Sequence, residues 1–321
     1  MNKAIALACL ASLANLGSTG VFAQTYPSKP LKLVIPFAAG GGNDIVARVV
    51  AARLGQGFNQ PMIVENRPGA NGFIAPRAVA DAAPDGYTVL MGPTGPMSIS
   101  PAIFSKMPYS PITDFTPVTM IGSFPLILIV SGGLPVKTVA DLVAMAKANP
   151  SKMNYGSTAA TFQLTSELFN LRTNTAFQHI PYKSSADFNT AVMTGEITIA
   201  FTDPPPAIGM LKSGKIRGLA VTANKRHSFW PEIPTMAEAG VKDMEVTIWM
   251  GLFLPANAPA AIVNRIHGEL VKGMAEPDIK EKLIGLGVEP DGRSPAEFAK
   301  FHQADIARWT TIAKAANIKA D

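Results

Sequence analysis

Apolar runs of strand length alternate with helix-length stripes along most of this chain, and that alternation restricts the fold more than any other feature. "LKLVIPF", "PMIVEN" and "YTVLMG" read as strands, separated by helical segments that begin near Asp44 and Asn71. Strand–helix–strand order predicts a mostly parallel, doubly wound α/β sheet with helices on its faces. Ile45, Val46, Val49, Val50 and Leu54 form the stripe by which the first helix lies on that sheet. Residues 97–117, rich in Pro and Ser, show no period and are expected as an irregular excursion.

A second alternation follows "PLILIV" at 125–130, a continuous apolar run that reads as a buried strand crossing into a second unit. The spacing predicts helix 138–148, strand "MNYGS", helix 159–171, strand "AFQHIPY", helix 184–194, strand "ITIAF", a helix near 205–213 and strand "RGLAVT". "EVTIWMGLFLP" is then apolar again, and helices near 259–274, 278–286 and 295–315 close the chain. Crossings near 125 and 246 predict a bilobed protein. Residues 24–124 with 246–321 would form lobe 1, and 125–245 lobe 2. Sites in such sheets lie at the carboxyl ends of strands, here in the cleft between two doubly wound units.

The length of 321 residues, 47% of them hydrophobic and 16% charged, suits two such cores. The start reads differently. Asn2 and Lys3 precede the apolar run "AIALACLASLANLG", and "VFA" before Gln24 supplies small residues at a cleavage position. That is the pattern of a secretory leader over residues 1–23, which takes the mature protein out of the cytoplasm. The single cysteine, Cys9, lies inside the leader, so the mature chain has no disulfide, thiol nucleophile or thiolate metal site. The formal net charge of +5 is scattered, without a Lys/Arg tract interleaved with aromatics, so nucleic-acid binding is not expected.

Two junctions share one grammar. In "LKLVIPFAAGGGNDIVARVVAARL" a strand ends, Gly40, Gly41 and Gly42 follow, and a helix begins. There is no G-x-G-x-x-G and no terminal GK[ST], so neither a dinucleotide fingerprint nor a Walker loop is present. Side-chain-free amides and a helix N-terminus still suit an anion, although a tight turn, with Asn43 or Asp44 capping the helix, is the competing reading. "NYGSTAATFQLTSELF" repeats the arrangement with Ser157, Thr158 and Thr161, whose hydroxyls either donate to a ligand or simply cap the helix. Tyr182 in "HIPYKSSADF" and Asp203 in "AFTDPPPAIG" stand at strand ends. Tyr182 could meet a ligand or be structural; Asp203 could face the cleft or cap the next helix. Thr94 in "GPTGPMS" is a further polar candidate from lobe 1.

Catalytic patterns are sparse. His179, His227, His267 and His302 show no metal-ligand spacing, and no G-x-S-x-G elbow occurs, so neither a metal site, a cofactor nor a hydrolytic triad is indicated.

In order along the chain, "YPSKPLKLVIPFAAGGGNDIVARVVAARL", "VENRPGANGFIA", "APDGYTVLMG", "NYGSTAATFQLTSELF", "IPYKSSADFNTAVMTGEITIAF", "GKIRGLAVTANKR", "IPTMAEAG" and "WMGLFLPANAP" resemble the Bug/TctC family. These are extracytoplasmic receptors of tripartite tricarboxylate transport systems. The resemblance implies a type II periplasmic-binding-protein fold that closes on a small carboxylate and delivers it to membrane permease subunits. It implies a ligand held by backbone groups and water, with Phe37, Ala38, Gly40, Gly41 and Thr94 on one side. Ser157, Thr158, Thr161, Tyr182 and Asp203 would lie on the other. A monomer without catalytic activity is expected; an extracytoplasmic enzyme on an acidic substrate, or a ligand sensor for signalling, are the alternatives. Two departures are local. Ser184 stands where the family often has glycine, and Gln163 and Thr165 lie near a position often held by histidine.

Overall fold

The computed structural model describes residues 26–227 and 229–315, so the leader expected over 1–23 lies outside the described residues. The chain opens with β1 (Leu31–Ile35), α1 (Gly42–Phe58), β2 (Met62–Asn66), α2 (Ile74–Ala80) and β3 (Thr88–Pro93). β1 pairs in parallel with both β2 and β3, as the strand–helix rhythm requires. Val46, Ala47, Val50 and Leu54 are the buried stripe of α1; Ile45 and Val49 are only partly covered.

The excursion expected over 97–117 is partly ordered. Gly95–Ile99 forms a π-type turn that runs into one helical turn over Ser100–Ile103, and strand β4 (Phe115–Pro125) begins inside the segment. Pro117, Gly122 and Pro125 interrupt any alternating pattern in β4, and strand prolines belong at edges or bulges. The ladder in fact shifts register between Leu252 and Phe253, opposite Pro117.

Leu126 alone separates β4 from β5 (Ile127–Ser131), yet the two strands belong to different sheets. α3 (Val139–Ala148), β6 (Asn154–Ser157), α4 (Ala160–Thr173), β7 (Gln178–Pro181), α5 (Ser185–Thr194), β8 (Ile199–Thr202), α6 (Pro204–Lys212) and β9 (Ile216–Val221) complete the second unit. β10 (Thr247–Pro255) returns to the first sheet, followed by α7 (Ala260–Met274), α8 (Pro277–Gly285), β11 (Glu289–Pro290) and α9 (Pro295–Ala315). The strand orders are β11-β4-β10-β3-β1-β2 and β7-β6-β8-β5-β9.

Neither sheet is as parallel as the alternation suggests. β10 runs antiparallel to β3 and β4, and β5 antiparallel to β8 and β9. The reason is connectivity: these strands are reached by extended chain passing between the sheets, without the helical crossover that a parallel pair needs. Thr222, fully buried, ties the two crossings together. Its hydroxyl accepts from the Leu126 amide at 2.9 Å and donates to the Val246 carbonyl at 2.5 Å.

The C-terminal helices brace the first sheet. Indole Nε1 of Trp249 on β10 donates to Asp305 Oδ2 on α9 at 2.7 Å. Arg53 on α1 donates to Glu269 at 3.1 Å and to Glu276 at 2.6 Å, joining α1 to α7 and the start of α8.

Candidate functional site

The loop between β1 and α1 is held from within its own lobe. Asp44 does not cap α1; the N-cap position is Gly41, and no side chain caps the helix. Asp44 Oδ2 accepts from the Gly40 amide at 3.0 Å, and its carboxylate also takes Arg48 and Asn66. Burial opposes ionisation of Asp44, but these bonds from Arg48, Gly40 and Asn66 outweigh it and hold the carboxyl below its usual range. Asn66 also donates to the Phe37 carbonyl at 2.9 Å. Gly40 has a φ of +86°, a left-handed conformation that glycine adopts without strain.

Asp203 answers this loop from the other sheet. It follows β8 and precedes α6, but it makes no capping bond there. Its Oδ2 instead accepts from the Gly42 amide at 2.8 Å, across the cleft. Only 2% of the residue is exposed, and Oδ1 has no hydrogen-bond partner among the described residues. Desolvation is the dominant influence and raises the Asp203 pKa, against smaller opposing effects of the Ser185 hydroxyl and the Gly42 amide.

The second junction, β6 to α4, is uncapped. Ala159 occupies the N-cap position in extended backbone, without a side-chain cap, so neither Ser157 nor Thr158 caps α4. The first intrahelical bond runs from the Gln163 amide to the Ala159 carbonyl at 3.2 Å. The preceding amides of the first turn have no partner within the helix, and the positive end of the helix lies there.

The predicted side chains separate into three groups. Thr158 and Tyr182 line one cavity together with Phe37 and Ala38. The Tyr182 hydroxyl is committed, donating to Glu196 at 2.9 Å, so the residue offers its ring. Thr161 and Asp203 meet the opposite lobe directly. A Cβ at Gly95 would lie 2.9 Å from Thr161 Oγ1, and one at Gly42 would lie 2.0 Å from Asp203 Oδ2. Ser157 and Thr94 have their hydroxyls engaged inside their own sheets. Ser157 Oγ is 2.7 Å from His179 Nε2, and that imidazole stacks on Tyr155. Thr94 Oγ1 accepts from the Trp249 amide at 2.7 Å and donates to the Trp249 carbonyl at 3.2 Å. Thr94→Val would keep the shape and leave that amide without an acceptor. A loss of about 1–3 kcal/mol is expected, read as a lower urea midpoint at unchanged slope.

The cavity has a volume of about 370 Å³ and also touches Pro36 beside Phe37 and Ala38. Its far wall is a loop that motif reasoning did not select as a site, contributed by Pro68, Gly69, Asn71 and Gly72. Four consecutive residues there have positive φ: Gly69 (+120°), Ala70 (+46°), Asn71 (+55°) and Gly72 (+85°). Ala70 in that region carries strain of the order of 1–2 kcal/mol. The Gly72 amide bonds the Gly69 carbonyl and the Phe73 amide the Ala70 carbonyl, while the Ala70 and Asn71 amides find no acceptor among the described residues. The available signal was "PGANG", two glycines bracketing an Ala-Asn pair. Ser184, the residue that departs from the resemblance, accepts from the Asp187 amide at 3.2 Å and N-caps α5.

A larger groove, of about 500 Å³, lies behind the crossings between Leu168 on α4 and Trp309 on α9. Neither strand–loop–helix junction opens into it, so the smaller cavity is the better site. No cluster of three or more His, Cys, Asp or Glu suited to a metal occurs among the described residues.

Comparison with known proteins agrees with this geometry. Residues 46–318 match the family described as "Tripartite tricarboxylate transporter family receptor". Protein BugT of Bordetella pertussis is 30% identical over 302 residues, covering 93% of each chain. An R. palustris structure solved with adipate is 36% identical, with a TM-score of 0.88 over 92% of this chain and 99% of that one. MatC from Rhodopseudomonas palustris, with bound malate, is 28% identical, with a TM-score of 0.85 over 89% of this chain and 99% of that one.

Proposed function

Because the chain belongs to the tripartite tricarboxylate transporter receptor family, we propose that it captures a small organic carboxylate between its lobes and delivers it to membrane permease subunits. One observation supports the reading: the cavity is lined by Thr158, just before the uncapped start of α4, and by Phe37 and Ala38 of the first junction, while its walls are almost entirely uncharged. Amides and a helix N-terminus favour an anion without the strong desolvation penalty of a buried charged pair. Micromolar affinity needs about −8 kcal/mol, within reach of several neutral hydrogen bonds and cleft burial. The adipate and malate held by its relatives are small carboxylates of this kind.

The proposed lobes are 24–124 with 246–321, and 125–245, moving about the Thr222 tie. Closure follows from a ligand that touches both sides at once, since only differential contacts shift such an equilibrium. Phe37, Ala38, Gly40, Gly41, Thr158, Thr161 and Tyr182 form the proposed grip, with the Gly69–Gly72 turn added. Ser157 supports it through its backbone: its carbonyl accepts from the Tyr182 amide at 2.8 Å. Thr94 supports it by joining β3 to β10. The proposed location is the periplasm, after removal of residues 1–23. No helix among the described residues is long and apolar enough to cross a membrane.

A thermal-shift series of aliphatic and aromatic carboxylates tests the reading. Saturable stabilisation by an acid, at about 2.7 kcal/mol for ligand at 100 times Kd, is the expected result. Chemical turnover of the stabilising acid by the purified protein would overturn it. Delivery is tested by transport in cells with and without the receptor and its permease subunits.

A further inference from the structure

We propose that the groove behind the crossings is a second ligand site, taken by a small neutral aromatic molecule with one hydrogen-bond acceptor, and that filling it favours the closed form of the receptor. The coupling rests on the carboxylate-receptor reading above; the site itself does not.

The groove has a volume of about 500 Å³ and an apolar lining of Leu168, Leu171, Val246, Trp309 and Ile312. Small-molecule sites commonly enclose ~300–1,000 Å³ and set a few polar groups among apolar walls. Here the polar group is an indole. Trp309 is 1% exposed, and its Nε1–H finds no acceptor among the described residues. A buried donor left unpaired is unfavourable, so an acceptor on the ligand is what this wall lacks. An aromatic ring suits the indole and the branched side chains around it. The charged lining favours a neutral molecule. Arg172 lies 3.7 Å from Asp243, and Arg308 donates to the Glu245 carbonyl at 2.9 Å. Two arginines thus stand with two acids, and their charges cancel.

The groove is coupled to the cleft through two helices. α4 packs on the second sheet and α9 on the first. At its start α4 meets the first unit: a Cβ at Gly95 would lie 2.9 Å from Thr161 Oγ1. The Gly95–Ile99 turn is itself tied to α9, with His302 Nε2 2.8 Å from the Met97 carbonyl. Farther along α4, at ~1.5 Å per residue, Leu171 lines the groove with Ile312 of α9. Val246, the crossing residue bonded by Thr222, is part of the same lining. A rotation about that crossing that lifts Thr161 from Gly95 swings Leu171 toward α9 and narrows the groove. A molecule lodged there opposes the rotation and favours the closed form, and linkage makes the effect reciprocal.

Acetophenone is the probe, with α-methylstyrene as its acceptor-free match in shape. In protein labelled at its tryptophan nitrogens, acetophenone is expected to move the Trp309 Nε1–H resonance, assigned with Trp309→Phe, more than those of Trp230 and Trp249. α-Methylstyrene should move it little. Leu171 is 58% exposed, and Leu171→Glu should weaken acetophenone about tenfold without disturbing the fold. With acetophenone present, calorimetric affinity for the tightest of adipate, malate and benzoate should rise about threefold, an effect absent in Leu171→Glu. An unmoved Trp309 resonance, or the same response to both probes, would overturn the site. Competition between acetophenone and the acid, or unchanged acid affinity, would overturn the coupling. If none of the three acids bound, the receptor reading and the coupling would both fail, while the resonance would still decide the site.

Discussion

A methyl group at Gly42 is expected to weaken ligand binding by about 10–100-fold while both sheets stay folded. The added Cβ would lie 2.0 Å from Asp203 Oδ2 and 2.9 Å from its Cγ, distances that force the carboxyl aside. Gly42 donates to that same oxygen at 2.8 Å, so the displacement also breaks a buried bond between the lobes. An unpaired buried donor and acceptor cost about 1–3 kcal/mol, and closure must supply it. Gly41 is less sensitive: the nearest atom to a Cβ there is Ser185 Oγ, at 3.4 Å, an ordinary contact distance. Titration calorimetry of Gly42→Ala reads the loss, and urea unfolding confirms that lobe stability has not changed comparably. The double variant Gly42→Ala, Asp203→Ala supplies the control, since removing the carboxyl removes the collision. The double variant should bind better than Gly42→Ala alone, a non-additivity that neighbours in contact produce. Strict additivity, or full affinity in Gly42→Ala, would show that this contact is not part of the bound form.

The elements that place the site were legible because their signals are local. Strand, glycine run and helix follow one another within residues 31–58 and again within 154–173, and the structure has β1 and α1, then β6 and α4, there. β4 was hidden because two prolines and a glycine erase its alternation; its pairing with β10, over a hundred residues later, makes it a strand. Side-chain direction was equally illegible at Ser157. It is the pairing of β6 with β7, which sets Tyr155 opposite His179, that puts the imidazole beside its hydroxyl. The Gly69–Gly72 turn carried a glycine signal, but a left-handed Ala70 between glycines cannot be distinguished from an ordinary turn without backbone angles. Asp203 shows the limit most plainly. Its partner Gly42 is 161 residues away, and both readings of Asp203 available from its neighbourhood concerned the start of α6 or an open cleft.

Ligand affinity is expected to fall as pH rises, and Asp203→Asn to remove that dependence. In the closure proposed above, the lobes bury a carboxyl whose Oδ2 accepts from the Gly42 amide and whose Oδ1 has no hydrogen-bond partner among the described residues. Burial, the largest influence, raises the Asp203 pKa above the ordinary aspartate value of 3.8; the Ser185 hydroxyl and the Gly42 amide only reduce the shift. No charged group contributes: Asp44, in the first turn of α1, is taken up by Arg48 and Asn66, and α6 carries its lysine at the far end, at Lys212. A group whose pKa is higher when buried takes up a proton on burial. Its contribution is full below 3.8 and is lost as pH climbs through the raised value. Over that window affinity should drop by up to about tenfold per pH unit, the slope of one linked proton. Asparagine keeps the shape and an acceptor for Gly42 but cannot ionise. Calorimetric titrations of both proteins with one acid, over a pH series rising from the ordinary aspartate value of 3.8, cancel the ligand's own titration. Parallel pH profiles for wild type and Asp203→Asn would show that Asp203 closes with the same protonation it has when open.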